Sequence, residues 1–197
     1  MYGIYDGISL VIAQFAAPMS MRSNRPIFSS DTLSLKRDIS ERPAQRWELE
    51  TNLVPLSYTA EDIIVDLITK GYSVATQIIV PQIYSNMLRR TASSSVTASG
   101  SIASSSVTIT NPGGTIPKGT FVKFAGHSKI YLTTADISGA GSLGIFPELT
   151  ASVSSETMTY LDNVIMDCYY DESTVTGMSY IDGILQDPGT VTLVEKL

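Results

Sequence analysis

The chain has 197 residues, of which 43% are hydrophobic and only 16% charged, and its formal net charge is −6. Soluble domains carry roughly 25% charged residues, so this low content indicates modest solvent exposure or a surface that other subunits cover. The acidic balance disfavours broad binding to nucleic-acid phosphates, because such binding needs a basic face.

The charges are distributed unevenly along the chain. Six basic residues lie in the first quarter, while Asp and Glu are concentrated in the last third. This polarity suits head-to-tail contacts between copies of one chain, and scattered solvated charge explains it equally well. The basic residues are Arg22, Arg25, Lys36, Arg37, Arg42 and Arg46.

An apolar stretch, residues 8–19, lies near the start of the sequence. No Lys or Arg precedes it, and Asp6 lies where a signal peptide would be basic. The stretch is also too short to span a bilayer as a helix. We therefore interpret residues 1–26 as an N-terminal arm or strand that packs on the domain or on a neighbour.

Residues 27–90 are predicted to contain β-strands and a helix. Residues 46–53 alternate with period two, which predicts a half-buried antiparallel strand that ends at Pro55. Leu33 and Leu35 mark its expected partner strand. The inward face of residues 46–53 would carry Trp47, Leu49, Thr51 and Leu53.

A helix is expected between Thr59, a capping residue, and Gly71, which suits a helix end. The apolar stripe between them has helical spacing. It consists of Ile63, Ile64, Leu67 and Ile68. The next apolar segment, residues 77–84, contains Pro81, and this predicts an edge strand because proline cannot donate to a central ladder.

Residues 91–115 form a serine-rich tract in which Ala-Ser-Ser-Ser-Val-Thr occurs twice, at 92–97 and at 103–108. Two copies are too few for a solenoid. The composition favours a flexible linker or an exposed hairpin, and so predicts a subdomain boundary.

Residues 116–197 have the pattern of short strands separated by turns, which is typical of a small barrel or sandwich. A hairpin is expected around Gly126-His127-Ser128. The predicted strands are 120–124, 129–134, 142–146, 157–160, 164–170, 175–181 and 191–194. The predicted fold class is therefore mainly β, a β-sandwich or small barrel with one or two short α-helices.

No arrangement of residues predicts catalysis, a cofactor or a metal. His127 is the single histidine, and no second histidine or nearby cysteine accompanies it, which argues against a histidine-based catalytic triad or a zinc site. We expect His127 to be a turn residue whose ring hydrogen-bonds locally. Cys168 lies in an apolar run and is expected to be a buried, inert thiol. Residues 139–144 match G-x-G-x-x-G, but no helix follows, so we interpret them as a hairpin turn.

Two further residue sets admit a binding role. Four carboxylates near residue 167 lack the spacing of a calcium loop, which leaves solvated charge as the default and a weak cation site as the alternative. These are Asp162, Asp167, Asp171 and Glu172. The ten tyrosines fall mostly in predicted strands, which favours packing in a core or an interface over stacking on a ligand. The strand tyrosines are Tyr131, Tyr160, Tyr169, Tyr170 and Tyr180.

Two sets of segments carry distinctive motifs. One combines Leu-Ser-Leu-Lys-Arg-Asp-Ile at 33–39, Gln-Arg-Trp-Glu-Leu-Glu at 45–50 and the predicted helix. The other combines Pro-Lys-Gly-Thr-Phe-Val-Lys-Phe-Ala-Gly-His-Ser-Lys-Ile-Tyr-Leu at 117–132, Gly-Ile-Phe-Pro-Glu-Leu at 144–149 and Val-Thr-Leu-Val-Glu-Lys-Leu at 191–197. Together they resemble a family of phage tail and baseplate structural proteins of the distal-tail or tube-end type. The resemblance covers most of 30–197, but not the serine-rich tract or residues 1–26.

The resemblance implies a non-enzymatic virion component with a tail-tube-like fold, made in the host cytoplasm and located in the phage tail or baseplate. Its expected partners are copies of itself in a hexameric or trimeric ring, the tail tube and neighbouring baseplate proteins, with no specific nucleic-acid sequence and no membrane. Edge strands would pair between neighbours in such a ring. The alternatives are a neck connector or tail terminator, and a carbohydrate-binding adhesion module.

Overall fold

The computed structural model describes residues 3–5, 11–31, 37–41, 44–55, 65, 69, 75–171, 179–181, 184–187 and 190–197. Strands dominate this part of the chain. In chain order they are β1 (Gly3–Tyr5), β2 (Val11–Asn24), β3 (Ile27–Asp31), β4 (Arg37–Glu41), β5 (Arg46–Pro55), β6 (Ala75–Ile79), β7 (Val96–Gly100), β8 (Ser106–Ile109), β9 (Phe121–Phe124), β10 (Ile130–Thr133), β11 (Gly141–Phe146), β12 (Val153–Thr159), β13 (Ile165–Tyr170), β14 (Ser179–Ile181), β15 (Ile184–Asp187) and β16 (Thr190–Glu195). A short helix, α1 (Tyr84–Arg89), lies between β6 and β7.

Six strands close into a first barrel in the order β1-β2-β5-β16-β13-β6. Every neighbouring pair is antiparallel, and β6 closes the ring of strands by pairing with both β1 and β13. The barrel is filled by apolar side chains that are almost completely buried, including Ile4, Leu49, Ile78, Met166 and Leu193.

A second closed barrel is inserted into the first. Its strands run in the order β10-β11-β8-β7-β12-β9, and all of them lie between β6 and β13 in the sequence. The chain enters and leaves this insertion side by side, because the Val80 amide donates to the Val164 carbonyl at 2.9 Å. Its separate core includes Val96, Val107, Phe124, Tyr131 and Leu143. The predicted fold class, mainly β, is confirmed: of the two predicted forms the structure has the small barrel, and it contains two barrels of six strands each.

Two antiparallel hairpins lie outside both barrels. Strands β3 and β4 pair only with each other, as do β14 and β15, among the residues that the structure describes. Each hairpin is a two-stranded antiparallel sheet, and β15 also lies close to β5 of the first barrel.

The prediction for residues 46–53 is confirmed. Strand β5 ends at Pro55, and Trp47, Leu49, Thr51 and Leu53 are all buried. Its partners in the described residues are β2 and β16. Leu33 and Leu35 lie outside the described residues, as does the predicted helix from Thr59 to Gly71 apart from Val65 and Thr69, which are helical.

The serine-rich tract corrects the predicted domain boundaries. Residues 91–115 contain β7 and β8, a paired hairpin that is part of the second barrel, and they are not a linker. Alternate side chains of both strands are buried, namely Val96, Ala98, Val107 and Ile109. The small hydroxyl residues between them occupy the outer face, so the composition resembled a linker while the spacing was that of strands.

Other expected boundaries also change. For residues 1–26 the alternative of a strand that packs on the domain is confirmed, since they contain β1 and β2 of the first barrel, and they do not form a separate arm. The predicted edge strand at 77–84 is wrong, because β6 is paired on both sides and Pro81 lies beyond its last residue, Ile79. Residues 116–197 do not form one barrel; they are divided between the two.

Most of the strands predicted after residue 116 are confirmed. Strands β9 and β10 form the hairpin expected around His127, and β11, β12, β13 and β16 overlap the remaining predictions. Of the strand expected at 175–181, only 179–181 lies in the described residues, where it forms β14.

Candidate functional site at the junction of the barrels

An aromatic cluster joins the two barrels. Trp47 of β5 packs edge-on against Phe121 of β9, with ring centroids 5.3 Å apart, and against Phe146 of β11 at 6.0 Å. The indole Nε1 donates to the Ile130 carbonyl at 3.1 Å. Phe121 and Ile130 belong by sequence to the second barrel but pack into the core of the first. This continuous apolar contact fixes one barrel against the other.

A buried ion pair lies beside this cluster. Lys129 Nζ donates to Glu195 Oε2 at 2.7 Å, and the two side chains are only 2% and 0% exposed. Burial lowers the pKa of Lys129 from its usual range, and the charge and hydrogen bond of Glu195 oppose that shift. A buried pair of this kind is tolerated only when its remaining donors and acceptors are satisfied.

Backbone groups complete the environment of the pair. Lys129 Nζ also donates to the Gln45 carbonyl at 2.7 Å. Glu195 accepts the Trp47 amide at 3.1 Å and the Ile130 amide at 2.9 Å. One carboxylate therefore binds the chain of both barrels, and its oxygens are directed at protein donors.

Two more polar contacts bridge the barrels. The buried side-chain amide of Gln82 donates a hydrogen bond to the backbone carbonyl of Phe121 and accepts one from the backbone N–H of Phe121, both at 3.0 Å. Lys123 of β9 donates to Asp167 of β13 at 3.1 Å. Gln77 also donates to Asp167 at 2.8 Å. Burial opposes ionisation of Asp167, but the bonds from Gln77 and Lys123 outweigh it and lower the pKa of that carboxyl.

Of the junction residues, the sequence analysis named Trp47 and Asp167 for other reasons, whereas Lys129 and Glu195 were not singled out, although a signal was present. Glu195 follows Val191 and Leu193 at alternate spacing, which places a charge on the inward face of its strand. Lys129 similarly lies two residues before the buried Tyr131. A charged residue at an inward position predicts a buried partner, but the pattern does not say which one.

His127 is a turn residue that bonds locally, as expected. Its Nδ1 lies 2.9 Å from the Tyr131 hydroxyl, which in turn lies 3.1 Å from Thr150 Oγ1. The ring is buried against Phe124, and Nε2 has no hydrogen-bond partner among the described residues. Burial raises the pKa of Tyr131. The side chains of His127, Tyr131 and Thr150 thus form a chain of hydrogen bonds at the β9–β10 turn.

The remaining candidate residues do not converge. Cys168 is fully buried, and burial raises its thiol pKa well above the ordinary value, with Glu195 and Asp167 adding to the shift. Asp162 pairs with Arg90 at 3.2 Å, whereas Asp167 belongs to the junction. No group of three potential metal ligands occurs in the described part of the chain. Asp171 follows β13, and Glu172 lies outside the described residues.

The strand tyrosines are mostly core residues. Tyr131, Tyr160 and Tyr170 are buried, and Tyr169 is half-buried. Tyr180 lies in β14. Buried rings pack rather than stack on a ligand, so packing is the better interpretation for these three.

Among the described residues, the surface includes two grooves and an apolar helix face. A groove of about 290 Å³ is lined by Asn24, Arg46 and Leu197, among others. Another, of about 240 Å³, lies beside Lys123. On α1, Tyr84 and Leu88 are 73% and 70% exposed and lie four residues apart, so they share a face of the helix.

No protein-family model matches the chain, and no curated protein matches it. Among the described residues, no helix has the length and apolar character needed to cross a membrane.

Proposed function

We propose that the chain is a non-enzymatic structural subunit of a tailed bacteriophage virion, with a tail-tube-like fold, that forms a ring at the end of the tail tube or in the baseplate. One observation carries the proposal. The segments that give the resemblance meet at the junction, through Trp47 of the first, Lys129 of the second and Glu195 of the terminal one. These three residues, which lie in the segments that carry the resemblance, hold the two barrels in one orientation.

An architectural role explains why this junction contains costly groups. Removing two charges from water is unfavourable, and a buried pair is weak support for stability alone. Here the pair fixes orientation, because Glu195 binds the backbone on both sides of the junction. A fixed orientation between barrels is what a subunit needs if every copy must present the same surfaces to its neighbours.

The composition and the surface are compatible with assembly. The 16% charged content suits a chain whose surface is partly covered by other copies. The exposed Tyr84 and Leu88 add an apolar face, and aromatic residues are enriched in protein interfaces. A net charge of −6 suits a ring through which DNA passes without binding, since like charges repel.

The test is to locate the chain in purified phage particles. Mass spectrometry should detect it in the virion, and a gold-labelled antibody should mark the tail tip in electron micrographs. Label at the neck would instead favour a connector or tail terminator. Particles that contain no copies of the chain would contradict the proposal.

A further inference from the structure

A buried side-chain amide without partners lies next to the junction of the barrels. Gln45, which immediately precedes β5, is only 6% exposed, and neither its Nε2 nor its Oε1 has a hydrogen-bond partner among the described residues. An unpaired buried amide is costly, so native chains rarely contain one without a reason. The backbone of Gln45 is nevertheless held in place, because its carbonyl accepts a hydrogen bond from Lys129 Nζ at 2.7 Å.

Gln45 lines a groove at the surface of the first barrel. The groove has a volume of about 290 Å³ and lies where β2 ends and β5 begins. Pro26, Ala44 and Leu197 give it an apolar lining, and Arg46 gives it a positive charge. Its volume is at the lower end of the range for ligand sites, which suits one or two residues of a peptide.

The chain itself shows what a buried glutamine amide binds. Gln82 is 7% exposed, much like Gln45, and its side-chain amide bonds both the N–H and the carbonyl of Phe121 at 3.0 Å. The N–H and C=O of one residue in an extended strand point to the same side, so one primary amide matches both. Gln45 has the same donor and acceptor unused. Its matching partner is therefore one extended residue of a peptide.

Arg46 adds a preference for negative charge. Its side chain is 48% exposed, and within the described residues it hydrogen-bonds only through Nε, to Glu48 Oε1 at 3.3 Å. The terminal nitrogens of its guanidinium are thus left for a second carboxylate, and charge-assisted bonds of this kind are among the strong ones.

We propose that this groove binds an acidic peptide segment in an extended conformation. The backbone N–H and C=O of one of its residues pair with the side-chain amide of Gln45, a carboxylate of the segment pairs with Arg46, and the apolar lining contacts its other side chains. The proposal goes beyond ring assembly, because the groove belongs to a single chain and is available to a peptide whether or not copies associate.

Two substitutions in the full chain test whether the Gln45 amide is free for a ligand. Gln45→Leu removes an amide that has no partner, so the urea midpoint of unfolding should stay the same or rise. Gln82→Leu is the matched control, and it should lower the midpoint because it leaves the N–H and carbonyl of Phe121 unpaired. A lower midpoint for Gln45→Leu would mean that the chain already satisfies this amide, and would contradict the inference.

Binding is measured by NMR on the isotope-labelled full chain with two blocked peptides, acetyl-Val-Glu-Val-amide and acetyl-Val-Gln-Val-amide. The glutamate peptide should shift the side-chain NH₂ signals of Gln45, which are assigned by their loss in Gln45→Leu, and the backbone signals of Ala44 and Arg46. The glutamine peptide should bind about tenfold more weakly, because it lacks the carboxylate. Arg46→Gln should abolish this difference, and Gln45→Leu should lose binding of both peptides.

Three results would overturn the inference. The first is the absence of any shift at Gln45 up to the solubility limit of the glutamate peptide. The second is equal binding of the two peptides by the wild type, and the third is a Gln45→Leu variant that binds like the wild type. Each of them would leave the ring proposal intact, since that proposal depends on the association of copies.

Discussion

At the scale of single residues, the most informative group is the carboxylate of Glu195. It lies in a strand of one barrel and accepts hydrogen bonds from Lys129 and Ile130 of the other and from Trp47 of its own. Because all three donors converge on one buried group, the loss of any of them leaves the carboxylate less well compensated. The junction is therefore the place where one substitution affects both barrels.

We expect Lys129→Met to lower the free energy of unfolding by about 3–5 kcal/mol, because it leaves the Glu195 charge buried and unpaired. Combining it with Glu195→Gln removes that charge while retaining an acceptor oxygen for one of the two backbone amides that Glu195 binds. The double variant should lose less stability than the sum of the two single changes. Urea unfolding of the four proteins measures this coupling, and simple additivity would contradict it.

Glu48 predicts how stability depends on pH. Burial opposes its ionisation, but hydrogen bonds from Asn24 and Arg22, with the charges of Arg22 and Arg46, lower its pKa below the ordinary 4.5. A lowered pKa in the folded state means that ionised Glu48 stabilises the fold above the unfolded pKa. This contribution is lost as the pH falls through the folded pKa.

The variant Glu48→Gln should therefore be less stable than the wild type at about pH 7, and the difference should shrink progressively as the pH falls below the ordinary glutamate pKa of 4.5. The measurement is the urea midpoint of both proteins across this range. A difference that stays constant with pH would show that the Glu48 charge does not contribute.

At the scale of elements, period-two alternation predicted individual strands well, whereas low-complexity composition misled. The run from Trp47 to Leu53 has large inward side chains, so its pattern is clear. In β7 and β8 the inward residues are Val96, Ala98, Val107 and Ile109, set among serines and threonines. Small apolar residues at the correct spacing are sufficient to line a narrow barrel.

We expect Ile109→Ala to lower the free energy of unfolding by about 2–5 kcal/mol, since its side chain is buried in the second barrel. The neighbouring Thr108→Ala is the matched control, because Thr108 is exposed on the other face of the same strand. Thermal or urea unfolding compares the two. Equal, small effects would mean that the serine-rich tract does not belong to the core.

Strand pairing was less predictable than strand location. The bond from the Trp47 amide to Glu195 spans 148 residues, and the pair Lys129–Glu195 spans 66. A local pattern shows that a residue lies inward, but it does not identify a partner so distant in the chain. For the same reason, closure of the sheets into barrels and the insertion of one barrel into the other were not evident from the sequence.

At the scale of the whole molecule, the described part of the chain combines two closed barrels with two two-stranded hairpins. Closure protects the barrel strands from unintended pairing, because every strand has a partner on both sides. The hydrogen bonds and aromatic contacts of the junction hold the two barrels against each other. This fixed orientation is the structural basis on which we propose a ring subunit.

Native mass spectrometry of the purified full chain, paired with class averages from electron microscopy, tests this account most directly. The account predicts one closed species, a hexamer or a trimer, whose averages show the matching rotational symmetry. A single mass of one chain at every concentration, with no symmetric particle in the images, would contradict it.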